Sequence, residues 1–93
     1  MSQADLEHHY WQHHWDVNAT TIPEYDASAR ETIRRGQRFT YTDPVRRRPR
    51  IGYYDPKTGL FTALHGDRKR ILTHFRPEDG EAYVRQLPHS TYR

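Results

Sequence analysis

Ile51-Gly52-Tyr53-Tyr54-Asp55-Pro56-Lys57-Thr58-Gly59-Leu60-Phe61-Thr62-Ala63-Leu64-His65 is the stretch that decides the fold. Ile51–Tyr54 and Leu60–His65 are short runs of aromatic, β-branched and aliphatic residues, which suit strands. Asp55–Gly59 between them is a tight turn, because Pro56 presets φ and Gly59 takes φ > 0 at no steric cost. The stretch therefore reads as two antiparallel strands closed by a hairpin.

Toward the N-terminus, Asp43-Pro44 and Arg46–Arg50 read as an arginine-rich loop, and Arg38–Thr42 as a further short strand. Before Gly36 the period changes from two to that of a helix. Residues 3–17 hold no Gly or Pro, and Leu6, Tyr10, His13 and Val17 fall in a stripe roughly 60° wide at 100° per residue. Thr21-x-x-Glu24 has the form of a capping box, with Pro23 tolerated in the first turn. The boundary can equally sit at Ile22, since the residue before proline avoids the helical region. Ile22, Tyr25, Ala29 and Ile33 supply the apolar stripe of a second helix over 22–35, with Gly36 as its C-terminal stop.

Toward the C-terminus, Gly66-Asp67 suits a two-residue hairpin turn leading into a strand over Arg68–Phe75. That turn pairs Ala63 with Arg70, Thr62 with Ile71 and Phe61 with Leu72. One face then carries Leu60, Thr62, Leu64, Ile71, Thr73 and Phe75, for the helices to cover. The other carries Phe61, Ala63, His65, Arg68, Arg70, Leu72 and His74, a cationic face suited to a polyanion. Pro77–Gly80 breaks the chain, Glu81–Gln86 forms a short helical turn, and Leu87–Arg93 is a last strand. The fold class is α+β: one domain over 1–93, with two N-terminal helices on a twisted antiparallel sheet of about four or five strands.

The charge is segregated. Residues 1–33 hold six acids and one arginine, whereas residues 34–93 hold fourteen Lys and Arg against six acids. A basic half of this kind favours a polyanionic ligand with salt-sensitive association. The absence of Cys excludes thiol nucleophiles, thiolate metal sites and a disulfide framework. No stretch has the ~18 apolar residues of a membrane span.

Several constellations could carry chemistry. Arg46-Arg47-Arg48 with Arg50 is a candidate for phosphate contacts, because guanidinium forks bind phosphate bidentately. His13 lies on the packed stripe of the first helix, and an imidazole titrates near neutral pH, which suits either a packed core residue or an acid–base group. His9 and His13 are i, i+4 neighbours, but no HExxH motif or third ligand accompanies them, so no metal is assigned. Trp11 and Trp15 project roughly opposite Leu6, away from the packed stripe. No GxSxG, P-loop or GxGxxG motif occurs, and no acidic pair is placed for two-metal hydrolysis. A nuclease built from these residues would work without metal, by attack of a ribose 2′-OH on the adjacent phosphate.

In order along the chain come His13, then Thr21-x-x-Glu24-Tyr25-x-x-x-Ala29, then Arg50 and Tyr54-Asp55-Pro56-Lys57-Thr58-Gly59-Leu60-Phe61, then Ile71-x-Thr73-x-Phe75-x-Pro77, and finally Tyr92. This order resembles the small toxin nucleases of the barnase–EndoU–colicin–RelE-like superfamily, and among them the polymorphic-toxin and contact-dependent-inhibition domains. The resemblance spans about His9 to Tyr92. It implies metal-independent RNA cleavage in a bacterial cytoplasm, no cofactor, and inhibition by a cognate immunity protein or antitoxin. By position it implies His13 as the acid–base group, Arg50 on phosphate, Thr73 near the scissile group, and Tyr92, or Thr91 beside it, closing the site from the last strand. Arg46, Arg47, Arg48, Arg68, Arg70 and His74 are the expected RNA contacts.

Two locations for the site remain open at this level. A cleft at the helix–sheet seam uses Thr73, whereas a site on the open sheet face replaces it with His74, His65 and Arg70. Two other functions compete with the nuclease: a non-catalytic nucleic-acid-binding module or antitoxin-like regulator on the same basic sheet, and a protein-interaction domain built around Trp11 and Trp15.

Overall fold

Thr21 starts the second helix as its sequence predicts. In the computed structural model, which describes residues 3–15, 17–66 and 70–93, its hydroxyl accepts a hydrogen bond from the Glu24 N–H at 3.2 Å. The Glu24 carboxylate returns to Thr20, accepting from its N–H at 3.0 Å and its hydroxyl at 2.9 Å. The capping box is thus closed one residue upstream of its usual partner. Helix α1 spans Gln3–His13 and α2 spans Ile22–Arg35. The first is shorter than the expected 3–17, because a tight turn follows it, with Ala19 N–H donating to His14 O at 2.8 Å and Asn18 at φ 59°. Val17 is buried all the same, carried in by that turn.

Four strands follow as an antiparallel meander in the order β1-β2-β3-β4: β1 Gln37–Thr42, β2 Pro49–Asp55, β3 Leu60–His65 and β4 Ile71–Phe75. The α+β arrangement of two helices and an antiparallel sheet is the one expected. Gly59 takes φ 75° in the β2–β3 turn, where its N–H donates to Asp55 O at 2.7 Å. Gly36 differs from expectation: its φ is −75°, so it is no left-handed cap. Glycine suits the position because a Cβ would stand 2.7 Å from Thr32 O and 3.1 Å from the Tyr54 backbone.

The third hairpin corrects the expected register. Phe61 pairs with Phe75, Thr62 with His74 and Ala63 with Thr73, three residues away from the two-residue-turn pairing. The first link across is His65 N–H to Arg70 O at 3.0 Å. Asp67 of the expected turn and Arg68 lie outside the described residues. A one-residue bulge at Leu72 then separates the Leu64–Ile71 pair from the rest. An odd shift exchanges the faces of a strand. Thr73 therefore leaves the helix-covered face and His74 joins it.

Both faces of the sheet are packed. On one, Ile51, Leu64 and Ile71 meet Ala29 of α2, while Leu60 joins Tyr25, Tyr10, Val17 and Ala19. On the other, Phe39, Tyr41, Tyr54, Phe61 and Ala63 meet Val84, Leu87 and Tyr92. The second face was expected to be an open basic surface. It is instead covered at one end by α3, Glu81–Gln86, and the segment after it. That segment is not a strand but runs along the edge of β1, with Thr42 N–H donating to Pro88 O at 2.8 Å and Thr91 N–H to Thr40 O at 2.9 Å. Tyr83 and Val84 of α3, with Leu87 and Tyr92 of that segment, supply the apolar side chains of the cover. Trp11 and Trp15, each 68% exposed, project outward as the helical projection indicated.

Gly52 pairs with Phe39, and a Cβ on it would lie 2.5 Å from the Phe39 ring. With Phe39 only 2% exposed, the ring has nowhere to move. Gly52→Ala is expected to cost about 2 kcal/mol by overpacking. Calorimetry should read this as a melting temperature lower by roughly 10 °C. An unchanged melting temperature would show that the ring can yield.

Candidate nucleic-acid interface

β2 begins with Pro49-Arg50, and its register sets Arg50 between Tyr41 of β1 and His65 of β3. All three stand on the sheet face that α3 and the C-terminal segment partly cover, and Tyr41 belongs to the core beneath them. Arg50 is only 5% exposed. A buried guanidinium is costly unless paired and hydrogen-bonded. Its Nε donates to Asp43 Oδ2 at 3.3 Å, and its Nη1 lies 3.5 Å from His65 Nδ1. Since arginine has no acceptor, that nitrogen of His65 is the acceptor and its proton is assigned to Nε2.

Arg50 forms the floor of an open cleft of about 500 Å³, with Arg46, Arg48 and Arg70 at its rim and His65 and Gly66 on its wall. Arg46, Arg48 and Arg50 converge because the β1–β2 loop folds back on itself, and Arg70 joins them from the residue before β4, where its carbonyl accepts from His65 N–H. Arg47 N–H donates to Asp43 O at 2.9 Å, and Asp43 N–H donates to Arg48 O at 2.9 Å. Arg47 adopts φ 55°, a left-handed conformation uncommon for a residue with a side chain. It is exposed and does not line the cleft.

The surroundings keep other groups out of acid–base work. Burial, with the Tyr83 and Asp43 charges behind it, pushes the Tyr41 phenol well above its ordinary range. Burial and Asp43 push Tyr83 up likewise. Both stay protonated at neutral pH and serve as neutral walls. A larger open cleft of about 720 Å³ lies between the end of α2 and the β2–β3 turn, but its charges are mixed. Glu31 there is paired with Arg34 and Arg35. On charge, the Arg50 cleft is the better site for a polyanion.

The residues expected to act together are only partly united. Arg46, Arg48, Arg50 and Arg70 meet in one cleft. Thr73 lies on the same face, in the next row, paired with Ala63. His13 is elsewhere, at the end of α1, half-buried and stacked on Phe75 at 5.3 Å between ring centroids. Tyr92 is buried between Phe39 and Tyr54, its hydroxyl donating to Glu81 Oε1 at 3.1 Å and its ring under the Arg85 guanidinium. It closes a hydrophobic core, not the cleft.

His74 cannot contact RNA, because it is fully buried. Its Nδ1 lies 2.7 Å from Thr62 Oγ1 and its Nε2 lies 2.9 Å from Ser28 Oγ. The Thr62 hydroxyl points at Ala29 O, 3.4 Å away, and the Tyr25 hydroxyl donates to His74 O. Burial pushes the imidazole down to about 4, with the His13 charge adding to the effect. This row of polar groups ties α2 to β3 and β4. The register correction accounts for it: His74 faces Thr62 only because the hairpin is shifted.

Two contributors carry signals of different strength. His65 was one of the alternatives for an open-face site, and the structure sets it beside Arg50. Asp43 was read only as part of a loop. An aspartate that starts a loop and accepts from amides two and three residues on is a recognisable turn former, but its reach to Arg50 depends on the β1–β2 pairing. Among the described residues no three His, Asp or Glu side chains converge as metal ligands. Comparison with protein-family models gives no match, and comparison with curated proteins gives none either.

Proposed function

We propose that the chain binds single-stranded RNA in the Arg50 cleft and cleaves it by attack of a 2′-OH on the adjacent phosphate. The observation that carries this reading is the recessed, ion-paired Arg50 with an imidazole at its edge and three more arginines around it. A guanidinium fixed before the substrate arrives can stabilise the charge of a phosphorane without reorganising. As the 2′-O–P bond forms and the P–O5′ bond breaks, water takes the 2′-OH proton, and His65 in its imidazolium form, with Arg50 turned from Nδ1 to the phosphate, gives one to the departing 5′-oxygen. Arg46, Arg48 and Arg70 suit the flanking phosphates, with electrostatic attraction supplying most of the affinity. The resemblance to toxin nucleases agrees with this reading, and it adds an acidic immunity protein or antitoxin as the partner that would cover the cleft. The acid–base role moves from His13 to His65.

A second reading is a non-catalytic RNA-binding module using the same cleft. It is favoured by one observation: among the described residues, His65 is the single imidazole on the cleft wall. Incubation with single-stranded RNA in EDTA at low salt separates the two. Cleavage leaving 2′,3′-cyclic phosphate ends supports the nuclease. Binding with no cleavage supports the module, cleavage only with divalent metal contradicts the mechanism, and no binding contradicts both.

A further inference from the structure

Asp43 sits where β1 ends, and its carboxylate is used on both sides. Oδ1 accepts from the Val45 N–H at 2.8 Å and the Arg46 N–H at 3.0 Å. Oδ2 accepts from Arg50 Nε at 3.3 Å. An acid beside a cleft for polyanions opposes ligand binding by its charge, so its presence calls for a compensating role. The backbone supplies one. Arg47 at φ 55° is disfavoured for an L-residue, so the loop's shape depends on bonds that hold it, and Asp43 supplies them.

We propose that Asp43 is the positioning residue of the cleft, one carboxylate that sets the arginine loop and the recessed Arg50 in a single arrangement. It touches no substrate and acts through the guanidinium groups it places. The proposal rests on the cleft being a phosphate site, as in the function proposed above. Its side chain is 17% exposed, so the pair is shielded from the solvent that would weaken it. Burial works against its ionisation, yet the Arg46 and Val45 N–H groups and the Arg50 guanidinium hold the carboxyl below its ordinary value.

Asparagine and alanine divide the two tasks. In Asp43→Asn the amide oxygen still accepts from the loop, which turns the amide NH₂ toward Arg50 Nε, donor against donor. Asp43→Ala removes both functions. Two readouts need no catalysis: exchange rates of the Val45 and Arg46 amides, and the Arg50 Nε–H resonance. A third is the Kd for an all-2′-deoxy single strand, which has no 2′-OH to attack.

For Asp43→Asn the expected result is a shifted Arg50 Nε–H resonance, with amide exchange and Kd within about threefold of wild type, since the loop keeps its acceptor. Its RNA cleavage should show kcat lower by about 30-fold at nearly unchanged KM. For Asp43→Ala, amide exchange should be about tenfold faster and Kd about tenfold weaker, a difference of about 1.4 kcal/mol. A wild-type Arg50 Nε–H resonance and wild-type Kd in both variants would overturn the proposal. Where the wild-type chain binds the deoxy strand but does not cut RNA, the nuclease reading fails, and Asp43 is still decided by resonance, exchange and Kd.

Discussion

Arg50→Ala is expected to slow RNA cleavage by about 10³-fold, the loss that follows removal of one preorganised charge-stabilising donor. The guanidinium is the floor of the cleft and is already aligned by Asp43 and His65. Alanine also leaves Asp43 without its cation, so a loss of fold must be distinguished from a loss of chemistry. Arg50→Lys serves that purpose. It keeps the positive charge but not the planar fork that engages carboxylate and phosphate together. Its cleavage should fall by about 10²-fold, while the melting temperature stays closer to wild type than that of the alanine variant.

The control removes the same charge at a distance. Arg34 is on the last turn of α2, 69% exposed, and α2 ends against Tyr54, at the far end of β2 from Arg50. Arg34→Ala is expected to leave cleavage within about twofold, since single exposed charges act weakly through screened solvent. Single-turnover rates on one RNA would compare the three variants directly. Equal losses in Arg34→Ala and Arg50→Ala would mean that only net charge matters and that the cleft is not the site.

The second large effect concerns acid stability. His74 is 0% exposed, and its folded pKa is about 4 against an ordinary 6.5, lowered chiefly by burial. Because the folded state binds the proton less readily than the unfolded chain, protonation favours unfolding. The contribution of His74 is therefore complete above pH 6.5 and is lost progressively as pH falls toward 4. Between pH 6.5 and pH 5 the loss should be about 2 kcal/mol, at about 1.4 kcal/mol per pH unit.

His9, which faces β4 from α1, is also lowered by burial. His74→Gln separates His74 from it, since a neutral amide does not titrate. Urea unfolding of both proteins at several pH values should give a wild-type curve that falls from pH 6.5 to 5 and a flatter one for the variant. Equal slopes would place the titration on other groups and contradict a neutral His74 in the core.

Sequence patterns made local structure legible and left assembly hidden, and particular residues show why. α2 runs over 22–35 as expected because cap, proline and apolar stripe all act within a few residues of one another. The β2–β3 hairpin was readable for the same reason, with Pro56 and Gly59 at its turn. The β3–β4 pairing was not. Gly66 invited a two-residue turn, but pairing strength along Phe61, Thr62 and Ala63 fixed a register three residues away and a bulge at Leu72. Period two groups residues by face but does not reveal what covers each face. Thus His74, expected on a basic surface, became a core group, and Tyr92, expected at the site, became part of the cover.

The candidate site followed the same division. Arg46, Arg48, Arg50 and Arg70 were visible as cations, and residue type alone suggested phosphate. Only the fold distinguishes Arg50, buried and paired, from Arg47, exposed on the same loop. His13 looked suitable because of its place on a packed helical stripe. Its contact with Phe75 satisfies that pattern by packing, outside the Arg50 cleft, so in the proposed mechanism the proton-transfer role falls to His65.

The central claim is cleavage by an internal 2′-OH, and a chimeric oligonucleotide tests it most directly. The substrate is a single-stranded DNA of about 15 nucleotides, with a single ribonucleotide near its centre, incubated with the protein in EDTA at low salt. One cut is expected, directly 3′ of the ribonucleotide, leaving a 2′,3′-cyclic phosphate, and no cut in the all-DNA strand. Cutting of the all-DNA strand, or an intact chimera that is nonetheless bound, would contradict the claim.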